Sequence, residues 1–193
     1  MQPVERYAEA DLPTPFGSFR ILVYRNLDKD HVAMVRGDVR GARDVLARVH
    51  SECFTGEVLG SQRCDCRAQL DQALARIAEA GAGVLIYLRQ EGRGIGLANK
   101  IRAYALQDQG IDTVDANLAL GFGADDRTYE VAAAMLRDLG VESVRLLTNN
   151  PDKVSGLVAA GMPVTAQVPH WVEGTEHSQD YLKTKRTKLG HIE

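Results

Sequence analysis

Three residues of one reactive type stand out. Cys53, Cys64 and Cys66 are the only cysteines among 193 residues, and they share one short window. Thiolates are good zinc ligands. A structural zinc site closes with four protein ligands, whereas a catalytic site keeps three and leaves the fourth position to a water that the metal acidifies. Cys53-x10-Cys64-x-Cys66 supplies three. The Cys-x-Cys pair is too tight for a finger knuckle, and an odd number of thiols is a poor disulfide framework. Two plainer readings stay open: a closed site with His50 as fourth ligand, and three inert core cysteines. Arg63, Asp65 and Arg67 surround the last two thiols; that is not a core sequence, and nearby cations favour thiolates. His50-Ser-Glu52 has the His-x-Glu spacing of zinc deaminases, but the Pro-Cys-x-x-Cys half of that signature is absent. The analogy is to water attack on a ring carbon, not to that family.

A second group of residues suits an anion. Arg89-Gln-Glu-Gly-Arg-Gly-Ile-Gly96 follows an apolar run and precedes a helical pattern. Glycines let a phosphate approach backbone N–H groups, and Arg93 can clamp its oxygens in parallel hydrogen bonds. The segment is neither a Walker A loop nor a dinucleotide fingerprint. Glu91 or Glu52 can accept hydrogen bonds from a purine's ring N–H and amine. Asp125-Asp-Arg127 is explained as a helix start with an aspartate N-cap. Lys153, after Thr148-Asn-Asn-Pro151, reads by itself as a solvated lysine.

These residues need a scaffold. Phe19–Tyr24, His31–Val35 and Val45–Val49 read as strands, with Leu12-Pro-Thr-Pro and Phe16-Gly as punctuation. From Cys66 on, helical and strand patterns alternate. Helices are expected over Ala68–Ala80, Leu97–Gln107, Asp125–Leu139 (N-cap Asp125 or Asp126) and Asp152–Ala160. Buried strands are expected at Val84–Leu88, Val144–Leu147 and Pro163–Val168. The tail, Tyr181–Gly190, is a basic helix candidate. The expectation is an α/β fold: one layered domain over 1–193, with a mixed β-sheet flanked by helices and a strand-rich N-terminal part. In such sheets the loops after strand ends build the ligand crevice.

Composition narrows the function. Lys and Arg total 23 against 26 Asp and Glu, a formal charge of −3. That balance argues against a dedicated nucleic-acid binder. No apolar run approaches the roughly 18 residues of a membrane span, so no membrane is expected. Met1–Arg6 lacks the apolar core of a signal peptide, which with free thiols points to the cytoplasm.

Taken together, the motifs resemble GTP cyclohydrolase II. The matching residues are Arg48-Val-His-Ser-Glu-Cys53, Arg63-Cys-Asp-Cys66, Gln69, Arg89-Gln-Glu-Gly-Arg93, Asn99-Lys-Ile-Arg-Ala-Tyr104, Asp125-x-Arg127 and Leu147-Thr-Asn-Asn-Pro-x-Lys153, in family order over about half the chain. The resemblance implies conversion of GTP to 2,5-diamino-6-(5-phosphoribosylamino)pyrimidin-4-one, formate and pyrophosphate, the first step of riboflavin biosynthesis. It implies zinc on Cys53, Cys64 and Cys66, and magnesium with the triphosphate. It carries GTP contacts to Arg48, Val49, His50, Ser51, Glu52, Gln69, Glu91, Gly92, Arg93, Thr113, Thr148 and Lys153. Asp125 takes the proton-acceptor position, Arg127 that of a nucleophile, and Tyr104 a place near the reacting ring. A guanidinium has no free lone pair at neutral pH, so charge stabilisation at phosphorus is the other role open to Arg127. The resemblance also implies a homodimer, in a stand-alone form without a fused dihydroxybutanone-phosphate synthase domain. Two other readings compete: a zinc deaminase-like hydrolase on another purine, and a non-catalytic module with a structural zinc and a basic tail on nucleic acid.

Overall fold

The structure, a computed structural model, describes residues 4–123, 125 and 127–172, except the side chains of Thr113 and Val114. The basic tail and Asp126 lie outside the described residues. Seven strands form one mixed sheet: β1 (Glu5–Thr14), β2 (Gly17–Asn26), β3 (Lys29–Arg36), β4 (Val45–Ser51), β5 (Gly83–Leu88), β6 (Val144–Leu147) and β7 (Val164–Val168), in spatial order β1-β2-β3-β5-β4-β6-β7. The first three strands and β5 pair antiparallel; β5, β4, β6 and β7 run parallel. The α/β expectation holds, and so does the mixed sheet. Among the described residues no helix is long and apolar enough to cross a membrane.

The helices are α1 (Phe54–Glu57), α2 (Cys66–Ala80), α3 (Gly96–Gln107), α4 (Thr113–Ala119), α5 (Glu130–Asp138) and α6 (Pro151–Ala159). A 3₁₀ turn spans Glu91–Gly94. Two apolar clusters cover the two faces of the sheet. On one face Val45, Ala47, Val49, Val84, Ile86 and Leu88 belong to the cluster that contains Met135, Leu136 and Leu157 of α5 and α6. On the other, Leu46 and Leu85 join Ala73, Leu74 and Ile77 of α2. Each such fully buried aliphatic contributes about 1.5–3 kcal/mol relative to exposure. Side chains alternate along a strand, so Leu46, Arg48 and His50 share the α2 face of β4. That face is apolar at the start of the strand and polar at its end, where the site lies.

Three elements were absent from the expectation, and a fourth is shorter than expected. β1 was not expected, and Leu12–Thr14 of the Leu12-Pro-Thr-Pro punctuation belong to it; its side chains are mostly exposed on both faces, which erases the alternation that reveals a strand. The short helices α1 and α4 carry no long apolar stripe. α5 begins at Glu130, not Asp125, and its N-cap is Tyr129. Asp125 is not a cap, because its carboxylate is taken by Arg127.

Candidate active site

All four parallel strands point their C-terminal ends the same way, and a cavity of about 770 Å³ opens beyond them. The end of β4 and the loop after it bring Ser51–Cys53, the loop after β5 brings Glu91–Arg93, the loop after β6 brings Thr148–Asn150, and the loop after β7 brings His170 and Trp171. α2, α3 and the segment before α5 close the remaining sides with Gln69, Tyr104 and Arg127.

The cysteines converge from three local settings. Cys53 precedes α1, Cys66 opens α2, and Cys64 lies in the loop between. Their sulfurs all lie within 4.8 Å of one another, with 3.6 Å between Cys53 and Cys64. Gly56 floors the cluster: a Cβ there would sit 2.7 Å from Cys64 Sγ and 3.3 Å from Cys53 Sγ. S–H donation from Cys64 and Cys66, with the Lys100 ammonium 3.1 Å away, holds the Cys53 thiol well below its usual range. Its neighbours move the other way: hydrogen bonding to Cys53 pushes Cys64 up to about 11, and Cys66 rises as well. Three sulfurs this close cannot all be anionic without a cation among them. A divalent metal with three thiolate ligands fits the donor set and the space that Gly56 leaves. His50 is not the fourth ligand: its Nε2 lies 2.7 Å from Glu57 Oε1, and it is not part of the cluster.

Glu57 was not singled out from the sequence. It accepts from Tyr87 Oη as well as meeting His50, and the His50 and Tyr87 rings stack at 5.8 Å. Burial raises the Glu57 carboxyl to about 7. Burial also lowers His50 well below the ordinary imidazole value, with Arg48 and Lys153 adding to the effect, so the ring is neutral. Glu57 sits in a helix of one turn, too short to carry a periodic signal.

Arg48 is buried and donates to Leu147 O and Gln69 Oε1. Burial lowers it to about 10. Gln69 in turn donates to Asp65 at 2.6 Å. Lys153 is also buried, not solvated, and its ammonium donates to Val49 O at 2.8 Å. Val49 itself faces the core. Thr148 Oγ1 accepts the Asn150 N–H. Ser51 accepts from Gln90. Arg93 adopts φ 61°, a conformation that side chains rarely take, and its buried Nη1 has no hydrogen-bond partner. A strained backbone holding an unpaired guanidinium nitrogen is suited to an anion.

Arg89, by contrast, turns away: it is exposed, pairs with Glu52 at 2.9 Å and does not line the cavity. The glycine-rich loop therefore offers one arginine, not two. Glu91 is occupied already, taking N–H donors from Phe54, Gly92 and Lys100 at 2.6–2.8 Å. Asp125 also does not line the cavity. It stands beside Arg127, whose backbone N–H, Nε and Nη2 all donate to it. Burial favours its neutral form, but those donors outweigh burial and keep the carboxyl below its usual range. The Tyr104 hydroxyl lies 3.3 Å from Thr55 Oγ1, with its pKa raised by burial. Thr113 starts α4; its side chain is outside the described residues.

Two further residues reach the site without a role read from the sequence: Lys100, which lies in a matching motif, and His170. Lys100 joins Glu91 to Cys53. His170 lies beyond β7 and holds Gln69 O at 2.9 Å. A lysine inside a helical pattern and a lone histidine after a strand carry no spacing signal.

Comparison with known proteins agrees over nearly the whole chain. The model of the family described as GTP cyclohydrolase II matches residues 5–169. "GTP cyclohydrolase-2" of Cronobacter sakazakii is 56% identical over 191 residues, 98% of this chain and 97% of that protein. "Riboflavin biosynthesis protein RibBA" of Bacillus subtilis is 57% identical over 192 residues, 98% of this chain and 48% of that protein. The chain thus spans about half the length of that relative. Among solved structures, RibBX of A. baumannii, a two-domain 3,4-dihydroxy-2-butanone 4-phosphate synthase, aligns over 91% of this chain and 41% of that one, with 24% identity and a TM-score of 0.44. That likeness is too loose to inform the site.

Proposed function

The chain belongs to the GTP cyclohydrolase II family, and on that premise we propose that it hydrolyses GTP in riboflavin biosynthesis, opening the imidazole ring at C8 and releasing formate and pyrophosphate. The observation that carries this reading is the convergence of three thiols and an arginine with one unpaired guanidinium nitrogen in one cavity at the ends of parallel strands. Cys53, Cys64 and Cys66 would hold zinc; when bound, it supplies Lewis acidity that makes water a nucleophile near neutral pH. C8 lies between two nitrogens and is the electrophilic carbon of the base. Tyr104, held through Thr55 beside the thiols, borders the reacting ring.

Loss of pyrophosphate is a separate task at the α-phosphorus, and it needs charge neutralisation. Arg93 and Lys153 provide fixed cations, and magnesium accompanies the triphosphate. Arg127 stabilises charge on the α-phosphate and does not attack it. Its guanidinium stays protonated, and the Asp125 carboxylate already bound to it is too weak a base to change that. Arg48 organises Gln69 and the floor of the site. Glu91 works as a brace; Glu52, Ser51, His50 and Gly92 border the substrate. We assign residues 1–193 to one catalytic domain, acting in the cytoplasm as a homodimer.

Incubation with GTP, Mg²⁺ and Zn²⁺ tests the reading. Absorbance is followed while formate and pyrophosphate are assayed. Both products in equal amounts support it. Ammonia in place of formate indicates a deaminase, and unchanged GTP rejects the reading. Rapid quenching tests Arg127: a covalent guanylyl–protein adduct at any time point contradicts charge stabilisation.

A further inference from the structure

Lys100 has no part in the steps above, yet it touches one of the three cysteines, the glycine-rich loop and the Tyr104 ring. Its ammonium lies 3.1 Å from Cys53 Sγ and 2.8 Å from Glu91 Oε1, and 5.7 Å from the centre of the Tyr104 ring. The side chain is only 12% exposed. Glu91 fixes it in place: Oε1 also takes the Gly92 N–H and Oε2 takes the Phe54 N–H. One carboxylate thus ties together the residue after Cys53, the glycine-rich loop and α3. The Cβ of Lys100 is packed close to Gly92, where an added Cβ would come within 3.1 Å of it. The ammonium therefore has little freedom to leave the sulfur.

Three thiolates donate strongly to any metal they hold, and strong donation weakens its Lewis acidity. A charged N–H···S hydrogen bond lowers the energy of the sulfur lone pairs and draws density off that ligand. We propose that Lys100 is a positioning residue of the metal centre: braced by Glu91, it holds the Cys53 sulfur and reduces its donation, keeping a three-thiolate ion acidic enough to activate water. This rests on the reading of the three cysteines as metal ligands.

The test replaces zinc with Co²⁺ and reads the sulfur-to-cobalt charge-transfer absorption, comparing wild type with Lys100→Met and Lys100→Arg. Loss of the hydrogen bond raises the sulfur lone pairs, so the band of Lys100→Met should move to lower energy and that of Lys100→Arg should return toward wild type. In the zinc enzyme, kcat should fall on the order of 10–100-fold in Lys100→Met, as for the loss of other groups that orient a metal ligand, while KM for GTP changes less than about threefold. An unmoved band overturns the proposal, and so does a rise in KM with kcat intact, which would make Lys100 a phosphate contact. Absence of any charge-transfer band in wild type overturns the metal assignment itself. If Lys100→Met does not fold, Glu91→Gln, which loosens the lysine but keeps it, should give a smaller shift in the same direction; no shift there also overturns the proposal.

Discussion

Leu27 and Arg93 share a backbone conformation, with φ 55° and 61°, in two regions that use it differently. Leu27 sits in the turn between β2 and β3, exposed, within the antiparallel half of the sheet. Arg93 sits in the loop after β5, with one guanidinium nitrogen buried and unpaired. In the first case the strained residue meets solvent; in the second it aims a cation into the cavity formed by the parallel half. The same contrast runs through the sheet. The antiparallel strands β1–β3 are joined by tight turns, and none of their residues lines the main cavity. Strands β4 to β7 are joined by crossovers, so every C-terminal end opens into a loop at one edge, and the reactive residues collect there.

If the parallel edge carries the chemistry, the largest effects come from its thiols. Cys53→Ser, Cys64→Ser and Cys66→Ser should each lower formate release by a factor on the order of 10³ or more, about 4 kcal/mol of barrier, together with loss of bound metal. Pyrophosphate release should retain a measurable part, since different groups serve it. Full formate release from any of these variants would break the comparison.

Next in size is the phosphate side. Arg93→Gly relieves the backbone strain but removes the guanidinium, and a charged hydrogen bond is worth about 1.5–3 kcal/mol. Steady-state kinetics should show kcat/KM for GTP down on the order of 10–100-fold, with thermal stability unchanged or higher. An unchanged kcat/KM would place the triphosphate elsewhere.

His31 links the two halves, since its Nδ1 accepts the Arg89 N–H at 3.1 Å. Burial lowers its pKa to about 4. The unfolded chain therefore binds a proton near pH 6.5 that the folded protein refuses until about pH 4. Stability should be full above pH 6.5 and fall as pH drops toward 4. His31→Gln keeps an acceptor without the titration, so its denaturant midpoint should fall less over that range. Identical pH profiles for the two proteins would contradict the assignment.

The smallest effect belongs to the turn. Leu27→Gly should stabilise by about 0.5–1 kcal/mol, the strain of a left-handed side chain less the entropy of glycine. Tm should rise by a few degrees, and kcat and KM should stay as they are. A change in kinetics would mean that the antiparallel half reaches the site.

The sequence was most readable where burial leaves a periodic trace. β5 shows as an apolar run because both faces are covered, whereas β1 disappears because neither is. The thiols were legible by type and spacing, and the helix expected from Asp152 is α6, which starts one residue earlier at Pro151 with the Asn150 side chain accepting the Asp152 N–H. Direction was not legible. Arg89 and Arg93 have the same chemistry four residues apart, and only the left-handed turn at Gly92 and Arg93 sends one outward and the other in. Glu57 and His170 were missed, and Lys100 was given no role, for a related reason: each acts through tertiary contacts that no local pattern encodes.

The central claim is that ring opening depends on one metal held by three thiols. Metal-free protein, prepared with a chelator, should be titrated with Zn²⁺ while formate release from GTP is measured. The account predicts no release without metal and a linear rise that breaks at one zinc per chain. Full release from metal-free protein, or a rise that ignores this stoichiometry, would contradict it.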